Sequence, residues 1–108
     1  MDTKEIILDK RLDNFDVRLL LYFRFIDMNM CGLSISTNVD IASVLDKSAL
    51  TVGKSIDKLV KFEYLFIDAD LISRILNKNH KRVLIAKETY LELIYNEDRL
   101  LECLKEIL

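Results

Sequence analysis

Thr51, Lys54, Lys58 and Lys61 recur at the spacing of one helical face, while Val52, Ile56, Leu59 and Val60 fall at i, i+4, i+7 and i+8 on the other. The chemistry open to such a polar face is electrostatic and hydrogen-bonding. Ammonium groups neutralise phosphates, and hydroxyls or long amines reach base edges in a duplex groove. On this reading Ser48, Thr51, Lys54 and Lys58 enter or flank the groove and Lys47 and Lys61 grip phosphates, with Leu50 placed to meet a thymine methyl or simply to stand in solvent. Lysines also decorate ordinary solvated helices, so the elements around this face must decide its meaning. Catalysis has fewer footholds: there is one histidine, His80, and the chain carries no glycine-rich loop and no Ser/His/Asp or Cys/His arrangement. Cys31 and Cys103 are far apart and outside any C-x-x-C pair, and are read as small buried or half-buried hydrophobes, with redox sensing the remote alternative. No enzyme activity, metal or cofactor is expected.

The face belongs to the second of two short helices joined by a tight turn. Ser36 or Thr37 can cap the first, which buries Val39, Ile41, Ala42 and Leu45; Asp46 and Lys47 make the turn, and Ser48 caps the second. Upstream, residues 2–12 form an arm or short helix anchored by Ile6, Ile7, Leu8 and Leu12. Asp13 or Asn14 then caps a helix over about 15–28 that is apolar on more than one face and therefore buried on several sides. Downstream, residues 64–68, 71–76 and 82–86 have strand composition, the last two joined across the Asn-rich turn 77–81 into a hairpin. From Lys87 or Glu88 a last helix runs to the end, with Asn96 a possible bend. The expected fold is a single domain over 1–108, mainly α with a small β-hairpin.

Charge is unevenly spread. The net charge is −2, yet the segments 47–61 and 77–82 each carry +3, which leaves −8 on the remainder. Such polarity suits a protein that presents a basic side to a polyanion. Hydrophobic residues make up 51% of the chain, more than a domain of this size readily buries, so a homodimer is expected, with Leu91, Ile94, Leu101, Leu104 and Leu108 of the last helix at its interface. Neither a signal peptide nor a membrane span is visible, and a soluble, cytoplasmic protein is expected.

The hydrophobic skeleton Ile41-Ala42, Leu45, Ser48, Thr51-Val52, Ile56, Leu59 and Tyr64-Leu65, led by Asp9-Lys-Arg-Leu12 and an apolar helix, resembles the bacterial winged helix-turn-helix superfamily. The arm and first long helix look like the N-terminal domains of plasmid and phage replication initiators. The short length and long last helix look like small dimeric regulators and the centromere-binding adaptors of plasmid partition. The resemblance implies a helix-turn-helix over 36–62, a wing over 64–86 and a dimerisation helix over 87–108. It also implies double-stranded DNA as partner, with Lys78, His80, Lys81 and Arg82 of the wing on the phosphate backbone or in the minor groove, and a filament or replication protein as a further partner. Its usual turn glycine is Asp46 here. Gly53, inside the second helix, marks a close approach either of a phosphate or, as favoured here, of the preceding helix. The competing expectation is a winged-helix module that binds protein, supported by the acidic total and by Asp57 on the lysine-bearing helix.

Overall fold

A computed structural model describes residues 3–76 and 82–108. The order is α1 (Thr3–Leu8), α2 (Asn14–Tyr22) prolonged by a π turn (Phe23–Asp27), β1 (Leu33–Ser34), α3 (Asn38–Leu45), α4 (Ala49–Lys61), β2 (Leu65–Phe66), α5 (Ala69–Leu76), β3 (Leu84–Ala86), α6 (Lys87–Ile94) and α7 (Glu97–Ile107). The chain is thus mainly helical with one small antiparallel sheet, ordered β1-β3-β2. Leu33 pairs with Ile85 and Ser34 with Leu84; on the other side of β3, Leu65 pairs with Ala86 and Phe66 with Ile85.

Local chemistry explains where the first helices start and stop. The Asp13 carboxylate accepts from Asp16 N–H while Asp16 accepts from Asp13 N–H, both at 2.9 Å, a reciprocal cap on α2. Thr37 and Asp40 repeat the arrangement on α3. Ser48 caps α4 through Thr51 N–H at 3.1 Å. Between α3 and α4 the backbone must turn left-handed, and Asp46 does so at φ 55, a conformation that aspartate tolerates better than most residues with a side chain. Its N–H and that of Lys47 both reach the Ala42 carbonyl, closing α3. At the end of α4, Glu63 takes φ 64, and Tyr64 N–H bonds to the Leu59 carbonyl at 2.8 Å. That reversal drives Tyr64 and Leu65 into the core.

The buried side chains form two clusters with the sheet between them. In the first, Ile6 of α1, Leu19, Leu20 and Phe23 around α2, Ile41 and Leu45 of α3, and Val52, Ile56 and Leu59 of α4 meet Leu65 and Leu84. In the second, Leu33, Val83 and Ile85 meet Leu71 and Ile72 of α5, Leu93 of α6, and Leu100, Cys103 and Leu104 of α7. Alternation along one strand makes this possible: Leu84 points to one cluster and its neighbours Val83 and Ile85 to the other.

Three sequence expectations are corrected here. Residues 71–76 are not a strand: Asp68 Oδ1 accepts from Leu71 N–H at 3.0 Å and starts α5, so β3 pairs with β2 and β1 rather than with 71–76. The last helix is two, because α6 stops at Ile94 with Tyr95 as its C-cap and the Asn96 side chain caps the next through Arg99 N–H. Cys31 and Cys103 are not independent hydrophobes but are bonded to each other across 72 residues, with Cα atoms 5.8 Å apart. Asn29 shapes this junction by accepting from Cys31 and Leu33 N–H and donating to the Cys103 carbonyl. Lys78, His80 and Lys81 lie outside the described residues.

Candidate functional site

The polar face of α4 carries Ser48, Leu50, Thr51 and Lys54 exposed in its first two turns, Lys47 just before it and Lys61 at its end. Ser48 and Thr51 are joined twice, since the Ser48 hydroxyl accepts from Thr51 N–H and donates to Thr51 Oγ1 at 2.9 Å. Thr51 therefore keeps its own proton for an outward partner. The Lys47 ammonium stands 5.6 Å from the Phe15 ring centroid and that of Lys61 5.6 Å from Phe62, contacts that orient an amine without consuming its hydrogen bonds.

Lys58 belongs to a different structure. Its Nζ donates to Asp16 Oδ2 at 2.7 Å and approaches Asp13 Oδ2 at 3.4 Å, while Ser55 Oγ donates to Asp16 Oδ1 at 2.5 Å. Asp16 is 1% exposed, so it must be paired, and the pairing fastens α4 to the start of α2. The carboxylates hold the Lys58 amine above its ordinary pKa, the Asp16 hydrogen bond contributing most. Asp13 is shifted below the usual carboxylate range, chiefly by its bond from Asp16 N–H. Between Thr51, Lys54 and these groups runs a groove of about 330 Å³, floored by Asp13, Phe15 and Asp16. The lysine row is thus split: Lys54 has no partner among the described residues, and Lys58 is neutralised from below.

Arg82 likewise turns inward instead of presenting itself to a backbone phosphate. Its guanidinium donates to Asn38 Oδ1 at 2.5 Å and to the Ser36 carbonyl at 2.6 Å, tying the entry to β3 to the first turn of α3. Burial lowers its pKa, partly offset by Asp27 and Asp57. The same Asn38 explains Gly53, where a Cβ would stand 3.1 Å from Asn38 Nδ2; the close approach is to the preceding helix. Of the residues assigned to a dimer interface, Leu91 and Leu108 are exposed and Ile94 and Leu101 half-buried, but Leu104 is fully buried in the second cluster of its own chain and has no surface to offer a partner.

Sequence reasoning missed Asp16, Ser55 and Asn38 as organisers of this face. The Asp13-x-x-Asp16 spacing announces a cap, but the bond to Ser55, 39 residues away, has no local signature. Among the described residues no three His, Cys, Asp or Glu side chains converge as metal ligands, and no helix is long and apolar enough to cross a membrane. No family model, curated protein or solved structure matches this chain.

Proposed function

We propose that the chain is a double-stranded DNA-binding protein of winged helix-turn-helix architecture, acting as a homodimer in transcriptional regulation or in plasmid or phage partition or replication. The observation that carries this reading is the exposed polar start of α4, with Lys47, Ser48, Leu50, Thr51 and Lys54, directly after a capped α3 and a left-handed turn at Asp46. The strand order β1-β3-β2 behind those helices supports it too. In this reading α4 is the recognition helix, the wing is the segment 64–86 that contains the paired strands β2 and β3 with α5 between them, and Lys78, His80 and Lys81, proposed as phosphate contacts, lie outside the described residues. Contact is concentrated at the N-terminal half of α4, because Lys58 is occupied by Asp16. With no Arg, Asn or Gln on that half, a single site binds modestly, and two copies spaced about 34 Å apart supply the affinity. No catalytic role is assigned.

The test is fluorescence anisotropy with labelled duplex DNA over a salt series. Lys47→Ala with Lys54→Ala is expected to weaken binding at least tenfold and to flatten the slope of log K against log salt by about 2, while leaving melting unchanged. Unchanged binding by the double variant removes α4 as the recognition helix. A parent protein with no salt-dependent affinity for duplex DNA or heparin favours the second reading, a winged-helix module for protein partners. The neutralised Lys58, the exposed Asp57 and the net charge of −2 speak for that alternative.

A further inference from the structure

We propose that Cys31 and Cys103 form a reversible redox clasp: as a disulfide they hold α7 on the second core cluster, and as thiols they release it. The inference is independent of DNA binding. Four observations support it. The bond joins two elements remote in sequence, the turn that feeds β1 and the middle of α7, so its loss frees a helix rather than a loop. Asn29 accepts from Cys31 N–H and donates to the Cys103 carbonyl, so that with α7 docked the two cysteines are aligned for the bond to re-form. A surface pocket of about 110 Å³ is lined by both cysteines together with Met30, Glu92 and Arg99, which gives a small thiol a path to the sulfurs. Finally, α7 contributes Leu100, Cys103 and Leu104 to the second cluster and nothing to the first, so its release can be local.

The co-reactant is a low-molecular-weight thiol. Its thiolate attacks the Cys31 sulfur, the Sγ–Sγ bond breaks, and the bonding electron pair leaves on Cys103, which takes up a proton. A second thiolate then displaces Cys31 from the mixed disulfide. Two small thiols are oxidised to one small disulfide as the two cysteines are reduced, and excess small disulfide reverses both steps. Cys31, 6% exposed, is the entry point because Cys103 is fully buried.

The experiment is hydrogen exchange read by mass spectrometry on the intact chain, equilibrated in glutathione buffers from fully oxidised to fully reduced. Thiol alkylation counts the free cysteines at each ratio. The expected result is a two-cysteine transition within millimolar glutathione, with amides of α7 accelerating in the reduced protein at least tenfold more than those of α4, which respond only to the lowered stability of the whole chain. Returning the reduced protein to oxidised glutathione must restore protection of α7. The proposal is overturned if the native protein keeps both cysteines bonded in millimolar reduced glutathione, if they stay reduced under oxidised glutathione, or if α7 is equally protected in both states. Equal acceleration in α4 and α7 also overturns it, since the bond would then act only on the stability of the whole fold and not as a latch on one helix. Cys31→Ala with Cys103→Ala provides a second measurement, in which α7 must exchange as in the reduced parent at every glutathione ratio.

Discussion

The two sides of the sheet are built by different means. Side-chain caps start helices on both sides, but around the first cluster a buried carboxylate, Asp16, bolts α4 to α2 through Ser55 and Lys58. Around the second, three short helices converge on β1 and β3, and a covalent bond closes the arrangement. Helices of eight residues such as α5 and α6 have little stability of their own and depend on what they pack against. The contrast suggests a division of labour, in which a self-sufficient half carries the exposed polar face of α4 and a dependent half is held in place by a crosslink.

Breaking the crosslink is the largest perturbation available to this comparison. A bond spanning 72 residues removes much of the unfolded chain's freedom, and Cys103→Ala is expected to cost about 4 kcal/mol, lowering the melting temperature by roughly 15 °C or more in calorimetry without reductant. A loss below about 1 kcal/mol would mean that the second half stands without its bond. On the other side, Asp16→Ala removes one partner of the α2 cap, leaves Ser55 without its acceptor and leaves Lys58 only Asp13 at 3.4 Å. About 3 kcal/mol is expected by chemical denaturation, since a broken buried pair costs more than its net worth. If this loss exceeds that of Cys103→Ala, the ordering of the two halves is reversed.

The same contrast governs what could be read from the sequence. Capping residues followed by a 3.6-residue apolar period are local signals, and they located α2, α3 and α4 with the turn at Asp46. In the second half the signals were shorter or ambiguous. Leu71, Ile72, Ile75 and Leu76 fit a helical face as well as a strand, and the cap at Asp68 that decides the matter lies within a stretch of strand-like composition. At the candidate site the lysine spacing was visible, but which lysines stay free depended on partners in other elements: Asp16 for Lys58, Ser36 and Asn38 for Arg82. Pairing of Cys31 with Cys103 had no local sign at all.

The surface of the dependent half offers a milder test. Leu91 and Leu108 are exposed on α6 and at the end of α7, so Leu91→Asp with Leu108→Asp is expected to change the stability of the folded chain by less than about 1 kcal/mol. In sedimentation equilibrium at tens of micromolar the parent is expected to be a dimer and this variant a folded monomer. A parent that is monomeric there removes the dimer from the proposed function, whereas a variant that stays dimeric moves the interface elsewhere, with Phe25, Ile26 and Met30 around the π turn the next exposed apolar residues to substitute.

The smallest effect probes how tightly the self-sufficient half is packed. Gly53 lies inside α4, where alanine ordinarily gains about 1 kcal/mol by reducing the freedom of the unfolded chain and favouring helix. Here the new methyl meets Asn38 Nδ2 at 3.1 Å, close enough that the amide must give way by a few tenths of an ångström. The Asn38 side chain is not free to do so, because Arg82 holds its Oδ1 at 2.5 Å and is itself anchored on the Ser36 carbonyl. The gain and the strain should nearly cancel, and Gly53→Ala is expected to change stability by less than about 0.5 kcal/mol in urea denaturation. Removing the obstruction in the same molecule separates the two contributions. If Gly53→Ala stabilises an Asn38→Ala background by about 1 kcal/mol and does nothing to the parent, the difference is the coupling between α3 and α4 transmitted through Asn38. Equal stabilisation in both backgrounds would show instead that Asn38 yields freely, and that Arg82 does not pin it.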